Sequence, residues 1–442
     1  SEDIKTMRNV ALAGHGGAGK TTLAEAMLFK AGVTSRLGKV EEGNTVMDFQ
    51  PEEIRKQQSI NTSFIKYTHN KHTITLMDTP GDQNFFSAAK TCFPVADCMA
   101  FVIDGVGGPS AMTEEAAASA LEYNLPGFVI INKLDRERAD YATCIEACKT
   151  TFKKKIVPIY YPIGSENDYK GFVNIISGQA YEYDADGKSS KIEVPSDISD
   201  EIEMAKEEFI ENVAELNDEL LEKYLEGEVI SVAELKATFR QGILDAQFYP
   251  AICCSATKMI GVETISDFIN DYMPSPLDRG DWIAKDTNGE DVIVSPDPDA
   301  EFCGLVFSTI VDPYAGRLSL FRVISGTLGK EGNIELSQGL QIATAAIDAA
   351  GLCLFVAFAV LDNEDGLPTI VQMINAQHGL SLTPDDVIAL GKSILNNELE
   401  FNRRAGFTKV DDQLPEMFLE SFPPHNTTWD FTTDELARTL SF

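Results

Sequence analysis

Basic charge is what this sequence has least of. Lys and Arg number 36 against 69 Asp and Glu, for a formal net charge of −33. A protein that coats a phosphate backbone needs the opposite balance, so a general nucleic-acid coat is excluded and direct DNA binding is not expected. The surplus of carboxylates serves solubility. Metal-knuckle spacing is missing too. The eight cysteines are Cys92, Cys98, Cys144, Cys148, Cys253, Cys254, Cys303 and Cys353, and no two of them form Cys-x-x-Cys. Such a set fits a reducing compartment. Nor is there a long unbroken apolar run. Residues 342–361 are interrupted by Asp348, and the stretch from Gly351 to Leu361 is too short to span a bilayer. A buried helix is expected there, with no membrane partner. Ser1-Glu2-Asp3 has no apolar signal core. These absences together predict a cytoplasmic protein. Internal repeats and low-complexity tracts are lacking as well.

What is present is a chain able to fold. At 442 residues and 44% hydrophobic it can bury a substantial core in about two to four domains. Residues 8–280 alternate short apolar runs with helical stretches. The expected strands are Val10–Ala13, Thr73–Met77, Met99–Ile103, Phe128–Ile131 and Ala251–Cys253. Short, wholly apolar strands separated by helices predict a parallel sheet covered on both faces. The distance from Ile131 to Ala251 far exceeds the ~30 residues of one strand–helix–strand step, so an insertion is expected at 158–248. It contains strand-like Ile159–Ile163 and Phe172–Ile176, and one long acidic helix from about Ser199 to Leu225. Phe302–Ser308 and Leu318–Thr327 read as strands joined by a turn at Asp312-Pro313-Tyr314-Ala315-Gly316. From about Leu340 the pattern is helical to the end.

Four motifs stand at the ends of expected strands. Gly14-His15-Gly16-Gly17-Ala18-Gly19-Lys20-Thr21 follows Val10–Ala13 and precedes a helix that starts at Thr22. Glycines at these positions let main-chain N–H groups curl around phosphate oxygens. Lys20 is placed to bridge the outer phosphates, and the Thr21 hydroxyl to reach Mg²⁺. Asp78-Thr79-Pro80-Gly81 ends the second strand. An acid there lies beside the phosphate loop, where it can hold Mg²⁺, and the Gly81 N–H can sense the γ-phosphate. Asn132-Lys133-Leu134-Asp135 follows Phe128–Ile131. The Asp135 carboxylate can accept two hydrogen bonds from guanine but would stay unpaired against adenine, which selects GTP over ATP. Lys133 can lay its aliphatic stem on the base. Ser255-Ala256-Thr257-Lys258 follows the last strand and would close the base pocket through main-chain N–H.

Taken in order, residues 8–336 resemble translational GTPases of the elongation factor G type. The likeness includes Gly14-His15 with Ala18-Gly19-Lys20-Thr21-Thr22, Met47-Asp48, Asp78-Thr79-Pro80-Gly81, Asn132-Lys133-Leu134-Asp135-Arg136, Pro162-Ile163-Gly164 and Ser325-Gly326-Thr327-Leu328. The resemblance implies an α/β fold: a P-loop GTPase domain over 1–284 with a G′ subdomain inserted at 158–248, the start of a β-barrel domain over 285–336, then an α-helical segment over 337–442. It implies GTP, GDP and Mg²⁺ as ligands, the ribosome as partner, and Lys20, Gly81 and Asp82 as catalytic positions. Ser59 stands where the family has the Mg²⁺-binding Thr of its first switch. Asp82 stands where it has the His that positions the attacking water. An anion beside the γ-phosphate hinders hydrolysis unless it is protonated or turned away, so GTP binding with weak turnover is expected.

Residues 341–442 resemble instead the C-terminal end of the tungsten-containing aldehyde:ferredoxin oxidoreductases. The carrying residues are Asp348-Ala349-Ala350-Gly351-Leu352-Cys353, Asn375-Ala376, Leu382-Thr383-Pro384-Asp385-Asp386, Gly391, Gly406-Phe407, Asp411-Asp412 and Leu414-Pro415. That family places Cys353 on a four-iron cluster. A cubane needs four thiolates, and the other seven cysteines lack a suitable triplet. Neither an iron–sulfur cluster nor tungstopterin is therefore expected in this chain alone. The junction falls at 330–342. Two alternatives stay open: a fragment or subunit of a tungsten/iron–sulfur oxidoreductase, and a regulatory module that holds GTP without hydrolysing it.

Overall fold

The computed structural model describes residues 3–286, 288–312, 316–328, 330–351, 366–408 and 431–442. The chain divides into two units, Ser1–Asp299 with Cys303–Ser325, and Ala300–Phe302 with Gly326–Phe442.

The first unit is built on a seven-stranded sheet. In chain order its strands are β1 (Met7–Ala13), β2 (Ser63–His69), β3 (His72–Asp78), β4 (Cys98–Asp104), β5 (Gly127–Asn132) and β6 (Lys155–Pro158), completed after the insertion by β11 (Phe248–Cys253). The spatial order is β2-β3-β1-β4-β5-β11-β6. Only the edge strand β2 runs antiparallel to its neighbour; the other pairings are parallel. All six residues of β5 are buried, as are the first six of β4. That is the burial of strands covered on both faces, which the apolar runs predicted. The covering helices include α1 (Lys20–Lys30), α4 (Ala111–Glu122), α5 (Tyr141–Phe152) and α9 (Val262–Tyr272). Shorter helices α2 (Pro51–Lys56), α3 (Phe86–Cys92) and α10 (Pro276–Arg279) stand in the connections. The expected α/β fold with a P-loop GTPase core is thus borne out. β2 was not expected, although Ile65 and Tyr67 point inward between exposed Lys66 and Thr68, an alternation that could have revealed it.

Between β6 and β11 lies the insertion. Its strands β7 (Tyr160–Ile163), β8 (Gly171–Asn174), β9 (Gln179–Tyr183) and β10 (Ser189–Ile192) form an antiparallel sheet in the order β10-β9-β8-β7. Tyr160 and Phe172 stack across β7 and β8 with ring centroids 4.5 Å apart. The single long helix expected after Ser199 is two helices, α6 (Ser199–Ala214) and α7 (Asp218–Glu226). The break has a local cause: the Asn217 side chain accepts from Leu220 N–H at 3.1 Å and caps a new helix. Next, α8 (Val232–Leu244) places Phe239 among Phe209, Phe248 and Tyr272.

Two hairpins follow. β12 (Trp282–Lys285) pairs with β13 (Asp291–Val294), and β14 (Cys303–Asp312) with β15 (Gly316–Ser325), as separate two-stranded sheets. The second is fastened to the main sheet at Phe307, whose ring lies edge-on 5.6 Å from that of Phe64 on β2, and at Arg322. Arg322 donates to the buried Asp97 carboxylate at 2.6 Å and to the Val95 carbonyl. Asn9 Nδ2 donates to the other Asp97 oxygen at 2.7 Å. The guanidinium groups of Arg279 and Arg322 lie 4.1 and 5.2 Å from the Trp282 ring.

The second unit is helical: α11 (Lys330–Ala349), α12 (Gly366–His378), α13 (Pro384–Arg404) and α14 (Thr433–Thr439). Its helix begins at Lys330, ahead of the expected Leu340, with Ile334, Ile342 and Ala346 turned inward at helical spacing. Gly391 allows α13 to touch α11: a Cβ there would sit 2.3 Å from the Ile342 carbonyl oxygen. The turn residues 313–315, the apolar stretch from Leu352 to Leu361 with Cys353, and 411–415 lie outside the described residues. Among the described residues no helix is long and apolar enough to cross a membrane.

Candidate functional site

The phosphate-loop sequence runs between β1 and α1. Gly14, at φ 143°, packs so tightly that a Cβ would lie 2.3 Å from the Val102 carbonyl oxygen, and Gly19 caps α1 in the left-handed region at φ 94°. Lys20 is buried, and its Nζ donates to the carbonyls of Gly14 and His15, each at 3.0 Å. Burial lowers its pKa, against the pull of Asp78 and Asp48. The Asp78–Gly81 segment is pinned to the same loop. Thr79 Oγ1 donates to Leu12 O at 2.6 Å, and Gly16 N–H donates to Gly81 O at 2.9 Å. A Cβ on Gly81 would fall 2.5 Å from the main-chain Gly16 N and His15 C, so that position excludes other side chains.

The buried acids have oxygens to spare. Both carboxylate oxygens of Asp78 and Oδ2 of Asp48 lack a hydrogen-bond partner. Burial pushes the Asp78 carboxyl up, reinforced by Asp48 and opposed by Lys20 and the Thr21 hydroxyl. Asp48 is pushed up to about 6, first by burial, with the Ser59 hydroxyl and Lys20 opposing. Thr21 Oγ1 and Ser59 Oγ are 3.1 Å apart. Unsatisfied anionic oxygens next to two hydroxyls are the donor set a hard divalent cation requires, so the residues present fit Mg²⁺. Sequence reasoning quoted Asp48 only within a motif and did not foresee its burial among the metal candidates.

Two further acids, also unforeseen, hold the loop that carries Asp48 and Ser59. Glu25 on α1 accepts from Val46 N–H at 2.6 Å and Met47 N–H at 2.9 Å. Glu53, on α2, accepts from Ile60 N–H at 2.9 Å and Asn61 N–H at 3.0 Å. Asp82, by contrast, is partly exposed. Its Oδ1 accepts from Asn84 N–H and Asn84 Nδ2, both at 2.8 Å. The Asn84 N–H and the Gln58 side chain hold its carboxyl below the usual range, so it is charged.

At the other end of the site Asn132 ties three segments together. Its Nδ2 donates to Ala18 O at 3.1 Å, while its Oδ1 accepts from Ala256 N–H at 3.1 Å and from Cys254 Sγ at 3.4 Å. The Ala256 N–H is thus engaged inside the protein. Lys133, at φ 64°, pairs with Asp104 at 2.6 Å and also donates to Gly17 O. Asp135 Oδ2 accepts from the Thr257 hydroxyl at 3.4 Å, whereas its buried Oδ1 has no partner. Ser255 Oγ accepts from Lys258 N–H at 3.1 Å and holds the turn after β11.

A cavity of about 310 Å³ runs between these ends, lined by Gly16, Gly17 and Gly19 to Thr22 at one side and by Asn132, Lys133, Ala256 and Thr257 at the other. That volume is at the lower end of small-molecule sites. Asp135 lines an adjoining cavity with Asp104, across the Lys133 side chain. Cys353 lies outside the described residues.

The family model described as Elongation factor Tu GTP binding domain matches residues 5–275, and that described as Aldehyde ferredoxin oxidoreductase, domains 2 & 3, matches residues 306–439. The chain is 37% identical over 334 residues to elongation factor G of Thermotoga petrophila, covering 74% of this chain and 48% of that protein. It is 33% identical over 329 residues to elongation factor G of Mycoplasma pneumoniae, with the same coverage. It therefore spans about half the length of the curated relatives it matches. A crystal structure of a Thermus thermophilus protein superimposes with a TM-score of 0.66 at 31% identity, over 73% of this chain and 46% of that one. With a match to more than half its length on the architecture just described, the chain belongs to the elongation factor Tu GTP-binding-domain family.

Proposed function

We propose that this chain binds GTP and GDP with Mg²⁺ and hydrolyses GTP slowly, through the site assembled on residues 1–284. The observation that carries the proposal is a buried lysine, the loop glycines and the unsatisfied Asp48 carboxylate around one cavity, with orphan oxygens of Asp78 and Asp135 outside its lining. Lys20 and the amides of Gly14–Thr21 bind the phosphates, with Thr22 on the cavity wall. Thr21, Ser59 and Asp78, with Asp48 beside them, would hold Mg²⁺, which supplies charge neutralisation on the β- and γ-phosphates when bound. Asn132 and Lys133 join the phosphate loop to the base pocket, Ser255 and Ala256 shape its floor, and Asp135 selects guanine by leaving no carboxylate oxygen unpaired.

Weak turnover follows from Asp82. Its carboxylate is held by Asn84 with its pKa lowered, so it is a weak acceptor for the attacking water's proton and sets a negative charge near the γ-phosphate. Gly81, whose carbonyl oxygen accepts from Gly16 N–H, would meet the γ-phosphate side of the loop. A cytoplasmic setting and the ribosome are the location and partner that fit the elongation-factor relatives.

Denaturing the purified protein and chromatographing the released small molecules tests binding. Guanine nucleotide supports the site, and adenine nucleotide alone counts against it. Single-turnover GTP hydrolysis by wild type and Asp82→His tests the second half. A faster His variant is expected; a slower one would overturn the assignment of Asp82 as the cause of weak turnover.

A further inference from the structure

Asp135 stands on a loop, not on a strand or helix. From Lys133 to Ala139 the chain makes two successive turns, with Arg136 N–H donating to Lys133 O at 3.0 Å and Ala139 N–H to Arg136 O at 3.1 Å. Arg136, Glu137 and Arg138 are exposed, and Arg138 takes the left-handed conformation at φ 66°. The second loop of this region, Ser255–Lys258, meets the first through the Thr257 hydroxyl on Asp135 Oδ2, at a long 3.4 Å. A carboxylate that must meet two donors on the edge of one base needs a firmer frame.

The insertion supplies it. Between β7 and β8 a single 3₁₀ turn, Glu166–Asp168, touches both loops. Glu166 Oε1 accepts from Arg138 N–H at 2.7 Å, and Asn167 O accepts from Lys258 Nζ at 3.2 Å. Asn167 also lines the cavity that Asp135 lines. The turn is firmly built. Tyr169, which follows it, is buried, and its N–H donates to Glu166 O at 3.0 Å, while Asp168 N–H donates to Ser165 O at 3.0 Å. Glu166 itself is half-buried at φ 52°, a conformation that costs a residue with a Cβ and persists where the surroundings dictate it.

We infer that Glu166 is a positioning residue for guanine recognition. By holding the Arg138 amide it fixes the turn that carries Asp135, so the insertion sharpens the selectivity of a pocket built on the main sheet. This rests on the reading that the base of a guanine nucleotide meets Asp135. The Arg138 N–H needs an acceptor at this place, so alanine at 166 loses the bond and glutamine keeps it.

The test compares GDP with inosine diphosphate, whose base lacks the exocyclic amine. Each nucleotide displaces a fluorescent GDP analogue from the full chain. Wild type should prefer GDP. Glu166→Ala should weaken GDP about tenfold and inosine diphosphate less, because a loosened Asp135 costs GDP two bonds and the other nucleotide one. The preference for GDP therefore shrinks, whereas a general loss of stability lowers both affinities alike and leaves it intact. Glu166→Gln should stay within about twofold of wild type for both nucleotides. An unchanged preference in Glu166→Ala, or a loss in Glu166→Gln as large as in Glu166→Ala, would overturn the inference. A wild type that binds neither nucleotide, or both equally, would instead sink the base-pocket reading beneath it, and the wild-type values alone decide that.

Discussion

Two units of one chain solve the same problem, covering apolar side chains, with different resources. In the first unit a single core runs from β2 through the inserted sheet to α9, and aromatic rings such as Phe101, Phe128 and Phe239 are wholly buried in it. In the second, the buried apolar side chains among the described residues are Ile334, Ile342, Ala346, Ile347, Ile370, Val371 and Val387, none of them aromatic. Phe401 there is 72% exposed and Met373 59%. Burying one large apolar side chain stabilises by roughly 1.5–3 kcal/mol, so over the described residues the first unit has the larger reserve. The reserve has a use. Only a unit with stability to spare can keep Asp78, Asp48 and Asp135 with buried, unpartnered oxygens, each of which costs about 1–3 kcal/mol. The proposed nucleotide site stands where the core can tolerate that cost.

Breaking the two cores is the most direct challenge to this contrast. Phe239→Ala removes a ring held between Phe209, Phe248 and Tyr272 and should destabilise the first unit by about 3–5 kcal/mol. Val387→Ala in the second should cost only about 1 kcal/mol. Denaturant unfolding of each variant measures both, and equal losses would erase the distinction. Next in size is Asp135→Ala, which should weaken guanine-nucleotide binding about a hundredfold, or ~2.7 kcal/mol, with the fold intact. Titration with a fluorescent GDP analogue reads it; unchanged affinity would refute the base-pocket assignment.

A smaller effect concerns pH. His69 Nε2 lies 2.7 Å from Asp267 Oδ1, and that hydrogen bond raises the imidazole pKa against the opposing effect of burial. The folded value lies above the unfolded one, so the stabilisation is fully present below about pH 6.5 and is lost as pH rises through the folded value. The pair is partly exposed, which limits it to at most about 1 kcal/mol. His69→Gln should thus be less stable than wild type at pH 5.5 and equal to it at pH 9, as thermal melts at the two pH values would record. The smallest change is expected from ending the chain after Ser325. Nucleotide affinity should stay within about twofold, and a larger loss would mean that the helical unit contributes to the site.

Local chemistry decided how much could be read in advance. Each strand-end motif of the first unit is contiguous, so Gly14–Thr21, Asp78–Gly81 and Asn132–Asp135 announce themselves, and the strands feeding them end in apolar residues. Glu25, Glu53 and Asp104 read as ordinary surface acids because their partners lie 22, 7 and 29 residues away, and only folding joins them. The Arg322–Asp97 pair spans 225 residues and was invisible for the same reason. The split at Asn217 was legible, since an Asn followed by Asp218 and Glu219 is a capping pattern, yet the periodicity of the acidic helix masked it.

The internal bonding of the phosphate cradle bears on how any anion enters it. The Lys20 ammonium already rests on two peptide oxygens, and the Gly16 amide on a third, from Gly81. An arriving phosphate therefore trades bonds and does not simply add them. The outgoing set is the same for every visitor, so selectivity depends on how many of the released donors a visitor can occupy at once. A short anion that satisfies one donor and strands the others gains little from the exchange, whereas a chain of phosphates long enough to meet all of them recovers the whole loss.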